Sequence, residues 1–344
     1  MLILFLVGFW IGEQDVALTL EPVPDTAESY LQNPGDICVD SLGRIHVLDL
    51  SAKTIFVWDA KGKFIGQYGS PGQGPGEFSF GGNMGGPQGY LADVGGTLFV
   101  YDGGPRMMST FSKDLKFEKA ESFLLESGRV NFLRRISADQ TLVFYASFFS
   151  ETPFERIAIY GSDMKPLKIF KEYPDETWHY TGSGNQRQVV LHIYGPSTAV
   201  ALNQKTGEVI IGNSSKPSFD VFDMQGNLKQ TVRVALSQKE VTKEDKDEWN
   251  ENSWFKNQNF FKVEFPAEKA FYDQILPVGD RGYLVFLRSP NAVRCEGIYV
   301  DREGKTQKPF NLVCGNGGNM MGSMGRVFAV RLEEDEMVIQ ELKF

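Results

Sequence analysis

Short runs of alternating apolar and polar residues recur along the chain, separated by turn residues. The clearest stretch is residues 35–69. Four runs follow in series there: Ile37 to Val39, Arg44 to Leu48, Thr54 to Trp58 and Lys63 to Tyr68. The gaps read Asp40-Ser41-Leu42-Gly43, Leu50-Ser51-Ala52-Lys53 and Asp59-Ala60-Lys61-Gly62. Period-two alternation over about five residues, bounded by Asp, Ser and Gly, predicts antiparallel strands joined by tight turns. Four such strands in series form one blade of a β-propeller.

The unit repeats. The run Asp93 to Asp102 matches Asp40 to Asp49 at an offset of 53 residues, with Asp, Gly, the alternating apolar residues and the closing Asp all coincident. Later second strands are expected from Gln140, Gly207, Gly282 and Gly325. Turns between third and fourth strands are expected at Asp59–Gly62, Ser112–Leu115, Ser162–Lys165, Asp223–Gly226 and Asp301–Gly304. Three of these read Asp-x-x-Gly, in which Asp bonds the backbone ahead of it and Gly accepts positive φ. A period of 40–50 residues points to a propeller, and six copies predict an all-β, six-bladed one. The wider spacings, from 140 to 207 and from 207 to 282, indicate insertions rather than extra blades. The last blade is a strand short. The alternating run Val16 to Leu20 is expected to supply its outer strand and so close the ring.

Length alone suggests about two domains, but six blades of about 40–55 residues use residues 13–344 as a single ring. The 36 Gly suit turns and the 27 Phe suit interfaces between blades. The net charge of −9 and pI near 5.1 argue against a nucleic-acid partner, which wants a basic face. Residues 1–11, MLILFLVGFWI, are almost all apolar. They are too short for a membrane-spanning helix, which needs about 20 residues. They match the core of a signal peptide in length, although no basic residues precede them and no Ala-x-Ala site follows. Residues 1–12 are therefore read as the remnant of a secretion signal, and the protein as periplasmic, secreted or associated with the cell envelope. Cys38, Cys295 and Cys314 are expected as free thiols, because a hairpin turning at Asp301–Gly304 sets Cys295 opposite about residue 310.

The core of blade one, Val39-Asp40 to Gly43-Arg44-Ile45 with Val47 and Asp49, followed by Trp58-Asp59 and Gly62-Lys63-Phe64, resembles the NHL repeat. The loop Gly69 to Phe78 is similar to the Gly-x-Gly-Pro-Gly-Glu-Phe motif of bacterial six-bladed propellers, as is Phe265 to Tyr272. The resemblance implies a secreted or envelope protein more than it implies a reaction. Among enzymes of this kind, amidating lyases hold zinc on histidines from several blades, and lactonases hold calcium on Glu, Asn and Asp around the channel mouth. This chain has three histidines, of which His46 lies mid-strand and His179 and His192 lie in one insertion. Asn33, Asp36, Asn131, Asn203 and Asp273 could supply oxygen ligands, but their spacing does not require it. The Gly69–Phe78 loop is no phosphate loop, because no Lys-Ser or Lys-Thr follows it.

Two insertions hold what the ring does not need. Residues 237–262 open on Ser237-Gln238-Lys239-Glu240, which reads as a capping box, and predict one or two short helices between blades four and five. If the insertion caps a partner or ligand, Trp249 and Trp254 are its expected contact residues. Residues 178–194 combine Trp178, His179, Tyr180, Arg187, His192 and Tyr194. Aromatic and hydrogen-bonding groups together suit recognition of a sugar or peptide. Arg134 and Arg135 could add positive charge near the channel. The expected ligand site is thus Trp178, His179, Arg187, His192 and Tyr194, with Arg135. The expected function is non-catalytic binding of a protein, peptide or glycan at the channel mouth, with no cofactor and no metal. The alternative is a calcium- or zinc-dependent lactonase- or lyase-type enzyme.

Overall fold

The computed structural model describes residues 16–81, 88–125, 128–147, 153–175, 178–181, 188–252, 261–287, 294–313, 319–333 and 336–344. The first strand, β1 (Val16–Thr19), belongs to the last blade. Blade one is β2 (Pro34–Val39), β3 (Ile45–Asp49), β4 (Thr54–Trp58) and β5 (Phe64–Tyr68). A short parallel pair, β6 (Ser70–Pro71) and β7 (Glu77–Phe78), leads onward. Blade two is β8 (Gly89–Val94), β9 (Thr97–Asp102), β10 (Met107–Phe111) and β11 (Phe117–Ser122). Blade three is β12 (Arg129–Arg135), β13 (Thr141–Ser147), β14 (Phe154–Tyr160) and β15 (Pro166–Pro174). After β16 (Trp178–Thr181) and β17 (Gln188–His192) comes blade four: β18 (Thr198–Asn203), β19 (Glu208–Asn213), β20 (Ser218–Asp223) and β21 (Leu228–Arg233). The helix α1 (Lys243–Asn252) and β22 (Phe261–Glu264) precede blade five: β23 (Gln274–Val278), β24 (Gly282–Phe286), β25 (Arg294–Asp301) and β26 (Gln307–Val313). Blade six is β27 (Asn319–Ser323), β28 (Arg326–Glu333) and β29 (Glu336–Leu342), completed by β1. The protein is a six-bladed β-propeller.

The middle strands of blade one, Ile45–Asp49 and Thr54–Trp58, are buried at every position. Each blade has a neighbour on both faces, so alternation gives way to continuous apolar character in the strands that are sandwiched. The outer strand of blade two, Phe117–Ser122, is exposed nearly throughout and reads polar. Buried side chains group in the gaps. Ile37, Val47 and Trp58 meet Phe328 and Ile339 between blades one and six. Leu48 and Val57 meet Leu91 and Phe111 between blades one and two. The remaining gaps hold matching clusters, for instance Tyr101 with Val143 and Leu142 with Val209, then Ile210 with Val285 and Leu284 with Val327. Every blade is thereby held on both sides.

The closing Asp of the repeat clamps two loops at once. Asp49 Oδ2 accepts from the backbone of Gln32 and Asn33, while Oδ1 accepts from Ser51 and Ala52. Asp102 does the same for Ser79 and Gly104. The Gly69–Phe78 loop is also structural. Phe78 and Phe80 are fully buried and stacked at 5.0 Å. Gly69 has φ +75°, and a Cβ there would lie 2.3 Å from the Phe78 ring.

Three expectations need correction. The blade-three turn closes at Gly161–Met164, one residue before Ser162–Lys165, because Met164 takes the positive φ that Gly takes elsewhere. The helix does not start at Ser237. Residues 239–241 are drawn out by pairing with residues 267–269, and the working capping box is Thr242 with Asp245, each side chain accepting from the other's backbone N–H. Cys295 is disulfide-bonded rather than free. The turn at Asp301 closes on Thr306, so Cys295 pairs with Leu312 rather than residue 310. Cys38 is free and buried. Residues 1–15 and Cys314 lie outside the described residues.

β1 pairs antiparallel with β29, Thr19 opposite Gln340, and the Leu20 N–H donates to Ile339 O at 3.0 Å. Leu20 is buried with Ile339 and Trp58 in the gap between blades six and one. Deleting residues 1–22 is expected to cost at least about 2 kcal/mol, from Leu20 alone. Thermal unfolding should show a fall of several degrees.

His46 is fully buried on β3, with Nε2 3.1 Å from Asp40 Oδ2 and Nδ1 3.5 Å from the Tyr68 hydroxyl. Burial lowers its affinity for a second proton, and the Asp40 hydrogen bond only partly opposes this. The unfolded chain therefore takes up a proton below about pH 6.5 that the folded ring resists. Stability from this group is present above that pH and lost as pH falls. A melting-temperature profile of His46→Gln should be lower at pH 7 but flatter between pH 7 and 5 than that of the parent.

Candidate functional site

In an up-and-down blade, the first and third turns lie at one end of the ring. The second turns and the connections between blades lie at the other. Residues 175–197 connect blade three to four and residues 234–273 connect four to five. Both insertions therefore emerge at the same end. They combine into one added sheet: β16 runs antiparallel to β17, with Trp178 opposite Leu191 and His179 opposite Val190. β17 runs parallel to β22, with Val190 opposite Lys262 and His192 opposite Glu264. Val189 and Val190 are both buried, so the sheet is anchored on each face.

The register puts His179 and His192 diagonally across adjacent strands, a separation that aromatic side chains can bridge. Their rings stack at 5.0 Å, with Nδ1 of His179 3.0 Å from Nε2 of His192. Such a bond needs one N–H and one lone pair, so at least one of these two nitrogens carries no proton. Glu264 Oε2 lies 3.9 Å from His192 Nδ1, and Lys262 Nζ lies 2.7 Å from Glu264 Oε1. The result is an exposed patch of two imidazoles, a carboxylate and an ammonium. Lys262 ends the segment that reads as helical, residues 237–262, and Glu264 follows just beyond it. The alternating Phe261-Lys262-Val263-Glu264 was the available signal.

The other expected site residues are placed differently. Trp178 lies on β16, opposite Leu191. Arg187 and Trp254 lie outside the described residues. Tyr194 is buried with φ +66°, and its hydroxyl donates to Asp245 O at 3.2 Å. Its ring stands 6.2 Å from Phe265 and carries Lys269 Nζ 5.4 Å above it. Lys269 and Asp245 form a buried ion pair at 2.7 Å, and Trp249 meets Phe265 edge-on at 5.8 Å. Tyr194 thus joins the two insertions and seats α1. Arg135 ends β12 at the opposite end of the ring. It donates to Thr141 Oγ1 at 2.9 Å and to Ala138 O, and packs 5.0 Å over Phe99.

An ion pair ties the inner strands of blades one and three together. Asp36 on β2 accepts from both Arg134 Nη atoms, at 2.9 and 2.7 Å, and from Leu91 N–H at 2.7 Å. Burial pushes its carboxyl up, against the pull of Arg134. Asn203 is buried and donates to Gly279 O while accepting from Lys205 and Thr206. Of the oxygen-bearing candidates, Asp36 and Asn203 therefore serve strands and turns at separate places. Among the described residues no three His, Cys, Asp or Glu side chains gather as a metal-ligand set, and no helix is long and apolar enough to cross a membrane.

A family model described as a six-bladed β-propeller (DUF5128) matches residues 24–84. No curated protein matches the chain. Among solved structures, a protein of Bacteroides fragilis NCTC 9343 whose name proposes export is 11% identical, with 96% of this chain and 95% of that one covered and a TM-score of 0.56. A DUF4221 family member of Bacteroides vulgatus is 9% identical over 96% and 98%, with a TM-score of 0.56. The calcium-binding protein regucalcin of Agrobacterium tumefaciens is 9% identical over 96% and 94%, with a TM-score of 0.50. At these identities the likeness concerns the fold.

Removing one member of a buried ion pair strands the other charge, at about 3 kcal/mol or more. Lys269→Met should therefore loosen the cap while the ring persists. Limited proteolysis is expected to cut within residues 237–252 in this variant well before it cuts the parent there.

Proposed function

We propose that the protein is a non-catalytic, exported or envelope-associated propeller that binds a protein, peptide or glycan at the ring end carrying the two insertions. The observation that supports this best is the added sheet. Two connections that the blades do not need form one three-stranded sheet, and one face of it carries His179, His192, Glu264 and Lys262. Loops on a rigid scaffold are where recognition collects. Trp178 and Arg187 belong to the same insertion and complete the proposed ligand set, with Tyr194 as its anchor; Arg135, at the other end of the ring, is not part of it. Export is supported by the apolar run at residues 1–11 and by the disulfide at Cys295, since disulfides persist in oxidising compartments. The repeat of blade one supports descent from NHL-type propellers.

The test is a glycan array and a peptide library probed with the parent and with a His179→Ala/His192→Ala double variant. The parent should select a ligand that the variant binds at least tenfold more weakly at an unchanged melting temperature. Equal binding by both proteins would remove the added sheet from the site. Chelator should leave the parent's melting temperature unchanged. A chelator-induced fall would favour the metal-dependent reading, since a bound ion stabilises the folded state by about 2.7 kcal/mol at 100 times its dissociation constant.

A further inference from the structure

A groove opens where the ring closes, between the chain that leads from β1 to β2 and the start of β29. It offers about 210 Å³. A sealed apolar cavity of about 150 Å³ already takes benzene, so one long side chain fits. Leu20 and Ile339, buried in the core between blades six and one, form its floor. Leu31 and Met337 pack partly buried against the same core, and Tyr30 beside them is 69% exposed. The wall is pinned at Glu21. Its N–H donates to Gly62 O at 2.8 Å, its carbonyl accepts from the Trp58 indole N–H at 2.8 Å, and its Oε2 accepts from Phe64 N–H at 3.3 Å.

The charge of the groove has one sign. Glu21, Asp25 and Glu336 line it, and among the described residues no Lys, Arg or His does. Asp25, Tyr30 and Glu336 are exposed, so the groove is open to a chain that continues outside it. An apolar group alone would cover the carboxylates without replacing their water, and an anion would be repelled. A side chain with an apolar stem and a cationic head meets both halves. Lys and Arg bury their methylenes against apolar surface while the head stays at the polar edge. Arg is the better match, because its planar fork takes a carboxylate in two places and also stacks on a tyrosine face. The net charge of −9 adds long-range attraction for a basic partner.

We propose that this groove docks one arginine side chain from an extended, basic segment of a partner protein, its stem over Leu20 and Ile339 and its guanidinium among Glu21, Asp25 and Glu336. No residue of the groove belongs to the added sheet, so the site stands whether or not that sheet binds a ligand. The test is calorimetric titration with the peptide acetyl-Gly-Leu-Arg-Leu-Gly-amide and with its citrulline analogue, which keeps the shape and loses the charge. The arginine peptide should bind at least tenfold more tightly. An Asp25→Asn/Glu336→Gln variant should weaken that binding at least tenfold at an unchanged melting temperature. Two controls separate docking from general attraction to an acidic protein. Asp114→Asn/Glu118→Gln removes two exposed charges from blade two, and His179→Ala/His192→Ala alters the added sheet. Both should keep the parent's affinity within twofold. The proposal is overturned if the arginine peptide shows no binding at millimolar concentration, if the citrulline peptide binds equally well, or if the groove variant keeps the parent's affinity. It is overturned too if either control loses as much as the groove variant, or if agmatine, the bare side chain, binds as tightly as the peptide.

Discussion

Everything in this ring depends on the pairing of the first strand with the last. The blades are held by packing face to face, so each needs a neighbour on both sides to cover its apolar residues. A linear array would leave two such faces bare. β1 returns to β29, and Leu20 enters the gap beside Ile339 and Trp58. The tryptophan adds a polar tie, its indole N–H donating to Glu21 O at 2.8 Å. Further bonds cross the same seam near the axis, as where Val39 N–H donates to Ser323 Oγ at 2.9 Å. Closure removes the open edge and turns six marginal sheets into one cooperative body.

Inside the ring, charge is placed where it ties elements together. Asp36 joins three inner strands through Arg134 and Leu91. Glu208 is buried and meets Lys229 and Arg302 from two different blades. Asp40 is buried as well, and burial alone would raise its carboxyl. The His46 and Arg44 hydrogen bonds outweigh that and leave it at about 2. These groups are committed to structure, which leaves recognition to the loops and insertions at one end.

Much of the fold could be read from residues because the blade pattern is local. Asp-x-x-Gly turns, the Asp49 and Asp102 clamps and the offset of 53 residues between Asp40 and Asp93 all act within one or two hairpins. Even the closing strand was legible, since the last blade visibly lacked a partner. The largest miss depended on distant pairing. The segment from Ser237 looked like a helix start, but residues 267–269 pull it into an extended bridge. The Cys295 register turned on where one hairpin closes. The site was less legible. His179 and His192 were expected in one insertion, yet their contact, and the arrival of Lys262 and Glu264 beside them, depends on a parallel strand pairing some 70 residues apart. Tyr194 has the composition of a ligand contact, but its hydroxyl is used by Asp245 O.

The ring and the added sheet should therefore differ in how they open. Stability shared through six covered gaps should be global, whereas β16, β17 and β22 rest on two insertions and can open by themselves. Native-state hydrogen exchange measures this directly. The account predicts that amides of β1 and β29 exchange only with global unfolding, together with β3 and β4, while those of β16 and β17 exchange through a cheaper local opening. Exchange of the β1 amides at the rate of a frayed terminus, with β3 and β4 still protected, would contradict it.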